Sequence, residues 1–132
     1  MEADIAVILQ GVPRDLSEEL SKNFIVAYKS KDKNQFAVDL SVRYSSELTV
    51  VSDLNAAIFA FLNQVGVFSD AINSLKGVLR IGVFYDLRET VVFPFCLSLD
   101  SVKIIEHLGL AIDVSGYPCS DDSDDPSDDT SS

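Results

Sequence analysis

The sequence predicts an α+β fold: a single domain whose largely antiparallel sheet carries helices packed on one face, followed by a disordered acidic C-terminal tail. Three observations predict it. From Phe36 to Tyr44 apolar and polar residues alternate with period two, the pattern of a strand with one buried and one wet face. After Asp53 the period changes, and Leu54, Ile58, Phe61, Leu62 and Val65 recur at helical spacing. Finally, residues 120–132, SDDSDDPSDDTSS, hold six aspartates and neither a base nor an apolar side chain. Such a stretch cannot bury enough surface to offset the entropy of ordering it. The expected division is a globular body over residues 1–118 and a tail over 119–132.

Taken in order, Ile5 to Leu9 is an apolar strand ended by Gly11 and Pro13. Asp15-Leu-Ser-Glu18 has the form of a capping box, and Leu16 and Leu20 share one face of the short helix it opens. Phe24 to Tyr28 is a continuous apolar strand, and a polar loop leads from Lys29 into the strand that starts at Phe36. Asp39 and Arg43 of that strand belong to its wet face. Beyond the main helix, Ser69 caps a second helix that Gly77 closes as a C′ residue. Val78 to Tyr85 is a strand, and Thr90 to Leu97 is its hairpin partner across a polar turn at 86–89. Pro94 lacks a ladder donor, so the partner is an edge or is broken there. Ser98 caps a last helix ending at Gly109, and Leu110, Ile112 and Val114 form a final alternating strand.

The 132 residues suffice for one domain, and 47% apolar with 23% charged residues is a globular mix. Lys and Arg number 10 against 21 Asp and Glu, a net charge of −11. Nucleic acid and anionic membranes are bound through Lys and Arg, so neither is an expected partner. Lys29, Lys31 and Lys33 cluster in one loop, but Asp32 interrupts them. No apolar run approaches the ~18 residues of a membrane span. The N-terminus, MEADIAVILQ, carries acids where a secretory signal needs bases, so a cytoplasmic address is expected.

The inventory of reactive groups is thin. His107, the one histidine, falls in the last turn of the final helix, where a cation is favourable. One histidine with two distant cysteines makes no zinc site, and no phosphate-cradling glycine motif is present. Asp121 to Asp129 lacks the glycine and terminal glutamate of an EF-hand loop. No catalytic residue, metal or cofactor is therefore assigned. Cys96 is expected to pack as a small hydrophobe and Cys119 to be an exposed thiol, with no disulfide between them. The acids Glu18, Glu19, Asp86 and Glu89 sit in a helix start and a turn. They are the candidate partner-binding residues.

A resemblance enters in the C-terminal half. An amphipathic helix (Leu54 to Val65) and a short helix (Ser69 to Lys76) precede the strand Leu79-Arg-Ile-Gly-Val-Phe-Tyr85. Phe93-Pro-Phe-Cys-Leu-Ser-Leu-Asp100 and Leu108-Gly-Leu-Ala-Ile-Asp-Val-Ser-Gly-Tyr117 follow. In this order residues 54–117 resemble the bacterial family known as domain of unknown function 4279. The family often has a second acid where Ser115 stands, and the N-terminal half is similar only through Gly11 and Asp15-Leu-Ser-Glu-Glu. The resemblance implies a compact α+β domain without assigned activity; members of such families also stand beside secreted bacterial toxins as immunity proteins.

Two functions are compatible with these readings. The first is a non-enzymatic protein-binding module, in its sharper form an immunity protein that neutralises a basic toxin domain steered onto it by charge. The alternative is a small-ligand-binding protein or an enzyme with a pocket between sheet and helices.

Overall fold

The computed structural model describes residues 2–28, 37–45, 49–86, 88 and 96–119. Strand β1 (Glu2–Pro13) leads into helix α1 (Arg14–Asn23), followed by β2 (Ile25–Tyr28), β3 (Ala37–Arg43) and the short β4 (Thr49–Val50). Helix α2 (Leu54–Val65), a 3-10 turn (Gly66–Phe68) and α3 (Ser69–Ile72) come next. Strand β5 (Val78–Asp86), helix α4 (Leu99–Leu108) and β6 (Ala111–Cys119) complete the order. The sheet runs β2-β3-β1-β5-β6, with β4 also paired to β1. Every pairing is antiparallel except β5 with β6, which α4 joins as a parallel crossover.

β1 is the centre of this arrangement. One edge pairs with β5 from Glu2↔Phe84 to Ile8↔Val78, and the other with β3 and then β4. Its odd residues Ala3, Ile5, Val7 and Leu9 are buried, as are Leu40 and Val42 of β3 and Leu79, Ile81 and Val83 of β5. Period two therefore sends one set of side chains from three adjacent strands to the same face. Leu54, Ile58, Phe61, Leu62 and Val65 of α2, with Ile72, Ile105 and Leu108, cover that face. The predicted α+β body with helices on one face is the observed one. The helical run Leu54–Ile72 reaches a mean hydropathy of 1.2, enough by length and composition to cross a membrane, but its apolar stripe is the stripe that packs on the sheet. At its β2–β3 end the layer closes on Phe61, which meets Phe24 and Tyr44 edge to face at 6.4 and 5.8 Å.

The ends of elements follow local chemistry. Asp53 caps α2, its Oδ1 accepting the Ala56 N–H at 3.1 Å, and Ser98 caps α4 by accepting from Ser101 N–H at 3.1 Å. Gly109 closes α4 at φ 68°, in the left-handed region that favours glycine.

Several expectations are corrected. β1 runs past Gly11 because Gly11, at φ 65°, makes a bulge between Leu9 and Val12 rather than a stop. No capping box opens α1: Pro13 holds the N-cap position without a side-chain bond, and Asp15 lies inside the first turn. α3 ends at Ile72, so Gly77 closes no helix. Lys76 instead takes a positive φ of 54°. Gly77 is needed for space, since a Cβ there would stand 2.5 Å from Leu9 Cδ2 and 2.8 Å from Ile8 O. β5 has β1 on one edge and β6 on the other, in place of a hairpin partner from 90–97. Within that stretch 90–95 lie outside the described residues, and Cys96 and Leu97 are not in a strand. Cys96 is exposed rather than packed. β6 continues through Cys119, one residue past the expected body, and the expected tail beyond it lies outside the described residues.

Candidate functional site

The face of the sheet opposite the helices is where charged and aromatic side chains gather. Register alone places them. Ala6 stands between Arg43 of β3 and Arg80 of β5, and Arg80 stands opposite Asp113 of β6. Asp4 is opposite Gly82, and Phe84 is opposite Tyr117. Asp4, Ala6, Ile8, Gln10, Asp39, Ser41, Arg43 and Arg80 therefore share this face and line a shallow cavity of about 280 Å³.

Arg43 organises the cavity. Its Nη2 donates to Asp4 Oδ1 and Oδ2 at 3.1 and 3.2 Å, and its Nη1 donates to Ser41 Oγ at 3.3 Å. Both partners of the ion pair are largely covered, with side chains 21% and 25% exposed. The Arg43 Nε is buried with no hydrogen-bond partner among the described residues. Asp39, beside it, accepts the Gly11 N–H at 3.0 Å. The wet face foreseen for Asp39 and Arg43 is thus the helix-free face, but both side chains are engaged there. Arg80 Nε approaches Asp113 Oδ2 at 3.7 Å in the open, both side chains about half exposed. Further along the same two strands, past Gly82 and Ser115, the Phe84 and Tyr117 rings stack 4.9 Å apart at 19°. Gly82 gives that stack its room, because a Cβ there would lie 3.3 Å from Tyr117 Cε2.

The acids singled out from sequence are not brought together. Glu18 and Glu19 are exposed on α1, and Glu19 Oε1 is 3.8 Å from Lys22 Nζ. α1 leaves the C-terminal end of β1 at Pro13, whereas Asp86 extends β5 beyond Phe84, the partner of Glu2 at the other end. Asp86 is also occupied, accepting the Arg88 N–H at 2.9 Å and lying 3.8 Å from Arg88 Nε. Glu89 lies outside the described residues. His107 occupies the last turn of α4 as expected, where it lines an open cleft of about 530 Å³ between α2 and α4 with Leu62, Lys103 and Ile104.

Sequence reasoning missed Asp4, Arg80, Phe84, Tyr117 and Asp113 as members of one face. The available signal was their parity within apolar strands; what was lacking was strand order. The face combines three aspartates, two arginines, one aromatic stack and a cavity with an orphaned guanidinium N–H. No group of three or more His, Cys, Asp or Glu side chains able to hold a metal ion occurs among the described residues. Comparison of the chain with family models, with curated proteins and with solved structures yields no match.

Proposed function

We propose that this protein is a non-enzymatic binding module acting in the cytoplasm on a basic protein partner, in the manner of an immunity protein that blocks a toxin domain. The observation that carries the reading is the one-sided build of the domain. Helices cover one face of the sheet, and the other presents a broad strip on which Arg80, Asp113 and Tyr117 remain about half exposed. Paired strands fix the backbone positions of these groups, so a contact made there needs no loop to be ordered. The net charge of −11 supplies the steering toward a basic surface.

The test is capture from the source cell followed by surface plasmon resonance with the captured protein at two salt concentrations. The expected result is a basic partner whose association rate falls steeply with salt while dissociation changes little. Deleting residues 120–132 should slow association and spare dissociation. An acidic partner, or an association rate indifferent to salt, overturns the reading.

The second reading, small-ligand binding, is favoured by the Arg43 cavity and its orphaned Nε. It places the ligand on the open face rather than between sheet and helices. A thermal-shift screen of small carboxylates against the wild type and Arg43→Met separates the two, since only a cavity ligand raises Tm in an Arg43-dependent way.

A further inference from the structure

The charges around the Arg43 cavity do not all cancel where they stand. Arg43 is neutralised in place by Asp4, to which its Nη2 donates at 3.1 and 3.2 Å. Two other charged side chains, Arg80 and Asp39, line the same cavity. Asp39 is partly covered, gives Oδ1 to a neutral donor, the Gly11 N–H, and has no ion-pair partner among the described residues. Arg80 has only Asp113 near it, 3.7 Å from its Nε and not part of the cavity wall. These two groups do not meet each other because β1 runs between them. Arg80 pairs with Ala6 on one edge of β1, and Asp39 stands across from the bulge at Gln10 and Gly11 on the other. Two strand spacings and about four residues separate them, so their Cα atoms are roughly 16 Å apart. Ala6 and Ile8 floor the space between. Ser41 stands opposite Ile8, midway along. Its Oγ accepts from Arg43 Nη1 at 3.3 Å, which leaves its own O–H to donate.

We propose that this cavity binds a dipeptide-sized zwitterion, with its carboxylate on Arg80, its ammonium on Asp39 and the carbonyl between them on the Ser41 O–H. The inference rests on the second reading above, ligand binding in the Arg43 cavity, and gives that ligand its chemistry. Charge selects the class. A simple anion satisfies Arg80 but leaves Asp39 bare, and it must approach a chain of net charge −11. A simple cation has the converse fault at Arg80. A zwitterion meets both poles and carries no net charge against the field. Distance and volume select the size. In a single α-amino acid the two charged groups hang on one carbon, too close together for poles so far apart, whereas a second residue adds about 3.5 Å. The cavity, at about 280 Å³, sets the upper bound, since larger ligands occupy clefts of roughly 300–1,000 Å³. Both end contacts are charge-assisted, the stronger kind of hydrogen bond.

The experiment is isothermal titration calorimetry of the full chain with alanyl-alanine, its N-acetyl and C-amide forms, alanine and acetate. Alanyl-alanine should bind, and blocking either end should weaken it on the order of ten-fold or more. Arg80→Gln should erase the preference for a free carboxylate and keep that for a free amine. Asp39→Asn, which keeps an acceptor for Gly11, should do the reverse. Circular dichroism and Tm of both variants verify that the fold stands. No binding of alanyl-alanine overturns the proposal. So do blocked forms that bind as well as the free dipeptide, or preferences that survive in both variants. Acetate binding that depends on Arg43, with no advantage for the dipeptide, overturns this ligand class and leaves the second reading standing. Absence of binding by every compound removes both.

Discussion

Asp39 Oδ1 accepts the Gly11 N–H at 3.0 Å across 28 positions of the chain, tying β3 to the bulge of β1. The bulge leaves an amide without a ladder partner, and a carboxylate from the neighbouring strand satisfies it. Asp39→Ala should therefore cost about 1 kcal/mol, and Asp39→Asn, which keeps an acceptor, less. Urea denaturation of the two variants measures the difference. Equal losses would mean that charge rather than the bond matters at this position.

Two glycines should respond oppositely to the same substitution. Gly66 closes α2 at φ −60°, and a Cβ there would meet only Ile104 Cγ2 at 3.7 Å. Gly66→Ala should stabilise by about 0.5–1 kcal/mol through the unfolded chain. Gly77→Ala drives a Cβ into Leu9 and the Ile8 carbonyl and should cost on the order of 2–4 kcal/mol. Thermal melts of both variants decide it, the expected shifts in Tm having opposite signs.

The Asp4–Arg43 pair is open to a double-mutant cycle. Arg43→Met leaves a largely covered carboxylate without its partner and should cost about 1–3 kcal/mol, discounted from a fully buried pair because both side chains retain some exposure. Adding Asp4→Leu should recover part of that loss, since it removes the carboxylate that Arg43→Met leaves without a partner. Strict additivity of the two losses would show that the pair is not coupled.

Phe61 should be the most sensitive aromatic position. It is 1% exposed and receives the edges of both Phe24 and Tyr44. Phe61→Ala should cost about 3–5 kcal/mol, and Phe61→Leu considerably less. The comparison of chemical denaturation midpoints tests whether the cavity closes on truncation.

The parts of the fold that could be read from sequence are those in which a single side chain or a single period decides the outcome. Ser98 and Gly109 bound α4 by local hydrogen bonding and backbone freedom, and Leu40 and Val42 alternate because a strand with one buried face must. Where a residue's role is set by a distant partner, reading along the chain misled. Gly11 and Pro13 look like a terminator, yet Asp39 makes the bulge tolerable. Gly77 looks like a helix stop, yet Leu9 and Ile8 dictate its lack of a side chain. Residues 78–85 and 90–97 look like a hairpin by adjacency, but α4 carries the chain to a parallel neighbour. The open face was hidden for the same reason: Arg43, Arg80, Asp113 and Tyr117 come from three strands whose order no local pattern encodes. The candidate acids Glu18, Glu19 and Asp86 stood out in sequence because they sit at polar ends of elements, which is also why they do not converge.

The central position of β1 has a consequence for how the chain reaches its native state. β1 is the first strand in chain order, yet one of its edges waits for residues about eighty positions later, as Ala3 meets Val83. The β2–β3 segment can form by short-range closure, but the side chains of Ile5, Val7 and Leu9 stay uncovered until α2 and β5 arrive. A topology dominated by such non-local pairing folds slowly for its size. During that interval the apolar β1, with one edge unsatisfied, is the segment of the nascent chain most in need of a chaperone.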